Sequence, residues 1–234
     1  MSKQTVLRIG VYNNFNFTEA ESKEVAKLKG FLPFVNSNSF VTIKADYPSI
    51  ITINPYLDSW QPPVGDISNV KACRVKWVAA AKPRVYEAQT EAIRWCLEHS
   101  IPVLITFMRF ISRCSMASFV TASGLNRYHY NHSYYRLFNA SGEFAEICKL
   151  AGNRSSLIYA CDLDGTGCPD CGNCARLTYG LEPDEADIAS LSLSCSGDSG
   201  KCLFHCPDCW AKRLAKIANF KLDSITVNNK QKGN

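Results

Sequence analysis

No stretch of this chain approaches the roughly 18 uninterrupted apolar residues of a membrane-spanning helix, so no span is expected. A secretory leader is not expected either, because Met1-Ser2-Lys3-Gln4 runs straight into a short strand-like segment. No Walker loop, dinucleotide fingerprint or Ser-His-Asp arrangement stands out, so the commonest nucleotide-binding and hydrolase signatures find no support. There is no internal repeat beyond two cysteine groups. An acidic excess is missing too: the formal net charge is +5. That charge is local. From Lys201 onward seven Lys and Arg face only Asp208 and Asp223, which leaves the rest of the chain neutral. Basic residues there can balance anionic metal-bound thiolates. Attraction to nucleic acid is the weaker reading, because the lysines are scattered without interleaved aromatics.

At 234 residues, 46% hydrophobic and 20% charged, the chain is long and apolar enough to bury a large core as one domain or two small ones. It does not need disulfide staples. A reducing cytoplasm is the expected compartment, and clustered cysteines there read as metal ligands.

Strand-like runs occur at 5–12, 40–45, 49–56, 72–80, 102–107 and 156–161, rich in Val, Ile, Leu, Phe and Thr. The clearest helix is 86–99, where Ala88, Ala92 and Cys96 repeat at helical spacing and Ile93 and Leu97 widen the stripe. Segments 19–29, with Thr18 as cap, and 143–150 also read as helices. Strand, helix and strand across 72–107 form a βαβ unit, which implies parallel strands. The expected fold class is α/β: a partial parallel (β/α) barrel or a doubly wound sheet, with chemistry at the C-terminal ends of the strands. Asn54, Tyr56 and Asp58 follow one such strand, Arg109 another, Asp162 and Asp164 a third.

Eight of the twelve cysteines lie in the last third. Cys161, Cys168, Cys171 and Cys174 form one group, and Cys195, Cys202, Cys206 and Cys209 the other. Two- and three-residue gaps let a turn aim several sulfurs at one metal, either structural zinc or an iron–sulfur cluster. Disulfides between cysteines so close in sequence are awkward. His205 lies within the second group and reads as a loop residue, and His129 and His132 read as part of an aromatic packing surface. Cys73, Cys96, Cys114 and Cys148 read as small apolar residues.

Residues 188–194 read as a strand, 195–209 as a loop carrying Cys202-x3-Cys206-x2-Cys209, and 210–220 as a helix with Trp210, Leu214, Ile217 and Ala218 on one side. This succession resembles the cluster-binding segment of radical S-adenosylmethionine (SAM) enzymes, which lies between the first strand and first helix of a partial barrel. The segment around Cys161, Cys168-Pro-Asp-Cys171 and Cys174, together with Cys209-Trp210-Ala211, is similar to phage proteins of the "gene product 88" type. The resemblance implies that the first strand and cluster loop of that fold have moved to the C-terminus by circular permutation. Asp208 stands where the radical SAM loop usually has an aromatic residue.

What the resemblance implies is definite. Cys202, Cys206 and Cys209 would hold a [4Fe–4S] cluster whose open iron meets SAM, with Cys195 outside it. Cys161, Cys168, Cys171 and Cys174 would hold a second cluster or zinc. Asn54, Tyr56 and Arg109 are the cofactor-pocket candidates. The domain reading is a barrel-like core over 1–160, a cysteine-rich metal-binding region over 161–223 that completes it, and a disordered tail over 224–234. The alternative is a non-catalytic zinc protein with two four-cysteine sites, contacting nucleic acid or a protein partner.

Overall fold

A computed structural model describes residues 3–9, 30–37, 48–54, 60–62, 66–161, 163 and 171–191. All of these fall in the first of the chain's two units, Met1–Leu191. The expected strand at 40–45, the helices at 19–29 and 210–220, and the tail lie outside the described residues, as do Tyr56, Cys168 and all four cysteines of the second group.

The strands are β1 (Gln4–Ile9), β2 (Leu32–Ser37), β3 (Ser49–Ile53), β4 (Val70–Trp77), β5 (Val103–Phe107), β6 (Tyr128–Asn131), β7 (Tyr134–Leu137), β8 (Ile158–Cys161) and β9 (Ala186–Leu191). The helices are α1 (Pro83–Glu98), α2 (Arg113–Phe119), α3 (Ala140–Ala151) and α4 (Asn173–Tyr179). Seven strands form one parallel sheet in the order β8-β5-β4-β3-β2-β1-β9, while β6 and β7 pair as a separate antiparallel hairpin. The sheet curls into a half-barrel, and the fold is α/β.

The order has one permuted feature. From β1 to β5 each strand neighbours the next in sequence, but β9 pairs with β1, from Gln4↔Ala186 to Ile9↔Leu191. The last described strand therefore precedes the first in space. Because all seven run parallel, their C-terminal ends share one edge.

Alternation along each strand sorts the side chains onto two faces. On β4, Cys73, Val75 and Trp77 join Ile51, Ile53, Val103 and Ile105 in the core beneath α1, which contributes Ala92, Ile93, Cys96 and Leu97. The helix starts on Pro83, whose missing N–H costs nothing at a first-turn position. Ala72, on the other β4 face, joins Val6, Phe34, Ile50 and Leu104 in a second core closed by Cys174 and Ala175 of α4. That inner face is apolar toward the strand starts. Farther along the same face stand Arg8, Asn36, Thr52, Arg74, Lys76, Thr106 and Cys161.

Past the end of β4 the backbone remains buried and is satisfied by side chains. Gln89 accepts from the Val78 N–H at 2.9 Å and donates to its carbonyl at 3.0 Å. Tyr128 does the same for Ala79, at 2.9 and 3.3 Å. Burial is the main influence pushing the Tyr128 phenol up.

Candidate functional site

At the C-terminal edge a cavity of about 710 Å³ opens on the inner face. Its floor is Arg8 on β1 and Arg74 on β4, only 6% and 4% exposed. Lys76, half-buried, stands one inner-face position beyond Arg74. Arg109, just past β5, and His129 of the hairpin are exposed at the rim, where Arg136 faces His129 across the β6–β7 ladder. Phe107, Met108, Tyr134 and Leu137 give the cavity an apolar wall.

Strand register sets up the floor. Thr52, Arg74 and Leu104 stand level on β3, β4 and β5, as do Lys76, Thr106 and Cys161 on β4, β5 and β8. The Arg74 guanidinium donates to Asn36 Oδ1 at 2.7 Å and to Cys174 Sγ at 3.2 Å. Thr52 Oγ1 reaches the same Asn36 oxygen at 3.4 Å. Burial lowers the Lys76 amine, and the positive charges of Arg74, Arg8 and Arg109 add to the effect while Cys161 opposes it.

Cys161 ends β8 and lines the cavity. Its thiol is pulled down to about 5, chiefly by the hydrogen bond from Cys171. Burial opposes that shift, and Arg74, Thr106 and Arg8 reinforce it. Cys171 is held close by Asn173, whose Nδ2 donates to the Ala160 carbonyl at 2.8 Å and to Cys171 Sγ at 3.4 Å. Between them Gly172 adopts a left-handed φ of 63°, and a Cβ there would come within 2.5 Å of Pro183 Cγ. This backbone turn requires glycine.

Among the first cysteine group, the structure thus brings Cys161 and Cys171 together, while Cys174 turns to Arg74 and the inner core. Among the described residues, no group of three or more His, Cys, Asp or Glu is placed to hold a metal ion. Arg109 lines the cavity; Asn54 stands half-buried just after β3 and is not among the lining residues. His129 packs edge-on against Phe138, with ring centres 5.7 Å apart, and His132 occupies the hairpin turn with a φ of 55°. Cys73 and Cys96 are buried in the core, whereas Cys114 is exposed.

The inner-face cations Arg8, Arg74 and Lys76 are not among the residues that the sequence singles out. A usable signal was present: in Lys71-Ala72-Cys73-Arg74-Val75-Lys76-Trp77, cations two apart alternate with wholly apolar positions. No membrane-length apolar helix occurs among the described residues. Comparison with protein-family models, curated proteins and solved structures gives no match.

Proposed function

We propose that this chain is a radical-SAM-like iron–sulfur protein resembling phage "gene product 88" proteins, its partial barrel circularly permuted relative to theirs. The observation that carries the reading is the pairing of β9 with β1. A partial barrel of that type needs an edge strand followed immediately by its cluster loop. Here an edge strand ends at Leu191, its C-terminal end on the edge where the cavity opens, and the Cys202-x3-Cys206-x2-Cys209 segment follows it in sequence.

In this reading Cys202, Cys206 and Cys209 hold a [4Fe–4S] cluster, and Cys161 with Cys171 contribute to a second cluster or a zinc site. When bound, and once reduced by an external one-electron donor, a three-cysteine cluster with one open iron would supply the electron for reductive cleavage of SAM and so for hydrogen abstraction from substrate. The chain's own residues do the rest. Arg109 and the basic floor attract anionic groups, Phe107 and Met108 exclude water on one side, and Arg74 keeps the floor rigid through Asn36 and Cys174. Cys161 is favoured as thiolate, the form that ligates a metal. That last feature suits zinc equally, and it supports the second reading of a non-catalytic zinc protein.

Anaerobic purification followed by iron, sulfide and zinc determination tests the proposal. It requires iron and acid-labile sulfide in the wild type, and SAM cleavage that disappears in Cys206→Ala. Colourless protein carrying zinc and no iron contradicts it.

A further inference from the structure

Five cationic side chains from four separate segments converge on one cavity: Arg8, Arg74, Lys76, Arg109 and Arg136. No Asp or Glu is among the described residues that line it. Three of the five, Arg8 on β1 and Arg74 and Lys76 on β4, sit on the inner face of one curled sheet, so the fold dictates their approach. The Lys76 amine registers that approach, since burial and then the charges of Arg74, Arg8 and Arg109 disfavour its charged form. Placing like charges together in a partly buried cavity costs free energy that a bound anion offsets.

The number and type of cations define the anion. One carboxylate is satisfied by a single bidentate arginine, whereas phosphate oxygens can engage several arginines at once. About 710 Å³ is within the usual range for a small-molecule site. Tyr134, Leu137 and Phe107 offer an apolar surface to the rest of the ligand.

We propose that this cavity binds a phosphate-bearing small molecule with at least two negative charges, its phosphate drawn to Arg8, Arg74 and Lys76 and its outer part held by Arg109 and Arg136. Binding of this kind does not depend on a metal centre. That the ligand is the substrate of the enzyme rests on the radical-SAM reading above.

Inorganic pyrophosphate is the probe, titrated calorimetrically into the purified full-length chain of known iron content, with acetate as the monovalent control. Pyrophosphate binds and acetate does not. Arg136→Gln and Arg109→Gln, both near the rim, each weaken binding by about 10-fold or more, the scale of one charge-assisted hydrogen bond. Lys71→Gln, an exposed cation outside the cavity, changes affinity less than 2-fold, the most that a screened distant charge contributes. Unchanged melting temperatures show that the rim variants remain folded. Absence of pyrophosphate binding, or equal weakening by Lys71→Gln, overturns the proposal. Binding to iron-free protein leaves this site standing and removes only the radical-SAM reading; iron-loaded protein without binding does the reverse.

Discussion

The Arg74 guanidinium lies 3.2 Å from Cys174 Sγ, joining strand β4 of the half-barrel to a helix of the cysteine-rich segment a hundred residues later. The same guanidinium donates to Asn36 at 2.7 Å, so one buried cation links β2, β4 and α4. Removing its oxygen partner leaves a buried charge short of an acceptor. Asn36→Leu is therefore expected to destabilise the protein by about 2–3 kcal/mol, measured by urea unfolding. A loss below about 0.5 kcal/mol, the level of an ordinary surface substitution, contradicts this role for Arg74.

The turn at Gly172 gives a second prediction. Its φ of 63° and the 2.5 Å approach of Pro183 leave no room for a side chain. Gly172→Ala should cost about 2–3 kcal/mol, from left-handed strain and the clash together. Gly180→Ala, at a φ of 70° with nothing near its Cβ, should cost only the strain, about 1 kcal/mol. Comparing the two melting temperatures separates strain from contact.

What was legible in the sequence follows from pattern length. The βαβ unit is readable because α1 carries a continuous Ala88, Ala92, Cys96 stripe and the strand faces packed beneath it, Cys73, Val75 and Trp77 on β4 and Val103 and Ile105 on β5, are wholly apolar. The structure places this helix at Pro83–Glu98, beginning three residues earlier than its periodicity suggests. β2 escaped notice because Pro33 interrupts a six-residue run, and proline within a run usually argues against a strand. α2 and α4 are seven residues each, too short to show a periodicity. α2 is marked instead by its capping box, in which Ser112 and Ser115 cap each other's backbone N–H. Across the hairpin the sequence shows an aromatic segment, and its two-residue turn, His132-Ser133, carries no Asn-Gly or Asp-Gly signal. Within the site, Arg109 is legible from its place after a strand, whereas Arg8 and Arg74 are not, because strand interiors are expected to be apolar.

Gln89 is fully buried and serves both polar groups of Val78. Gln89→Leu keeps the bulk but strands a buried N–H and a buried carbonyl. The expected loss is about 2–4 kcal/mol, with chemical denaturation as the readout. A loss under about 1 kcal/mol means that the end of β4 finds other partners.

Cys73 predicts an alkaline dependence. Its hydrogen bond with Cys96, and then its burial, push the thiol well above its ordinary value of 9.0. A raised native pKa gives stability that is complete below the unfolded pKa and declines as pH rises past it. Urea midpoints should thus hold steady up to about pH 8.5 and fall continuously above it, until the raised native pKa is passed. Cys73→Val should flatten that fall; an undiminished slope in the variant contradicts the assignment.

Iron content of two single variants tests the central claim most directly. Wild type, Cys206→Ala and Cys195→Ala are purified anaerobically side by side and analysed for iron and sulfide. The permuted half-barrel reading predicts that Cys206→Ala loses the iron of one cluster, about four atoms, while Cys195→Ala keeps the wild-type content. Equal loss in both variants makes Cys195 a fourth ligand of a closed structural site, and zinc in place of iron in the wild type removes the cluster altogether; either result contradicts the account.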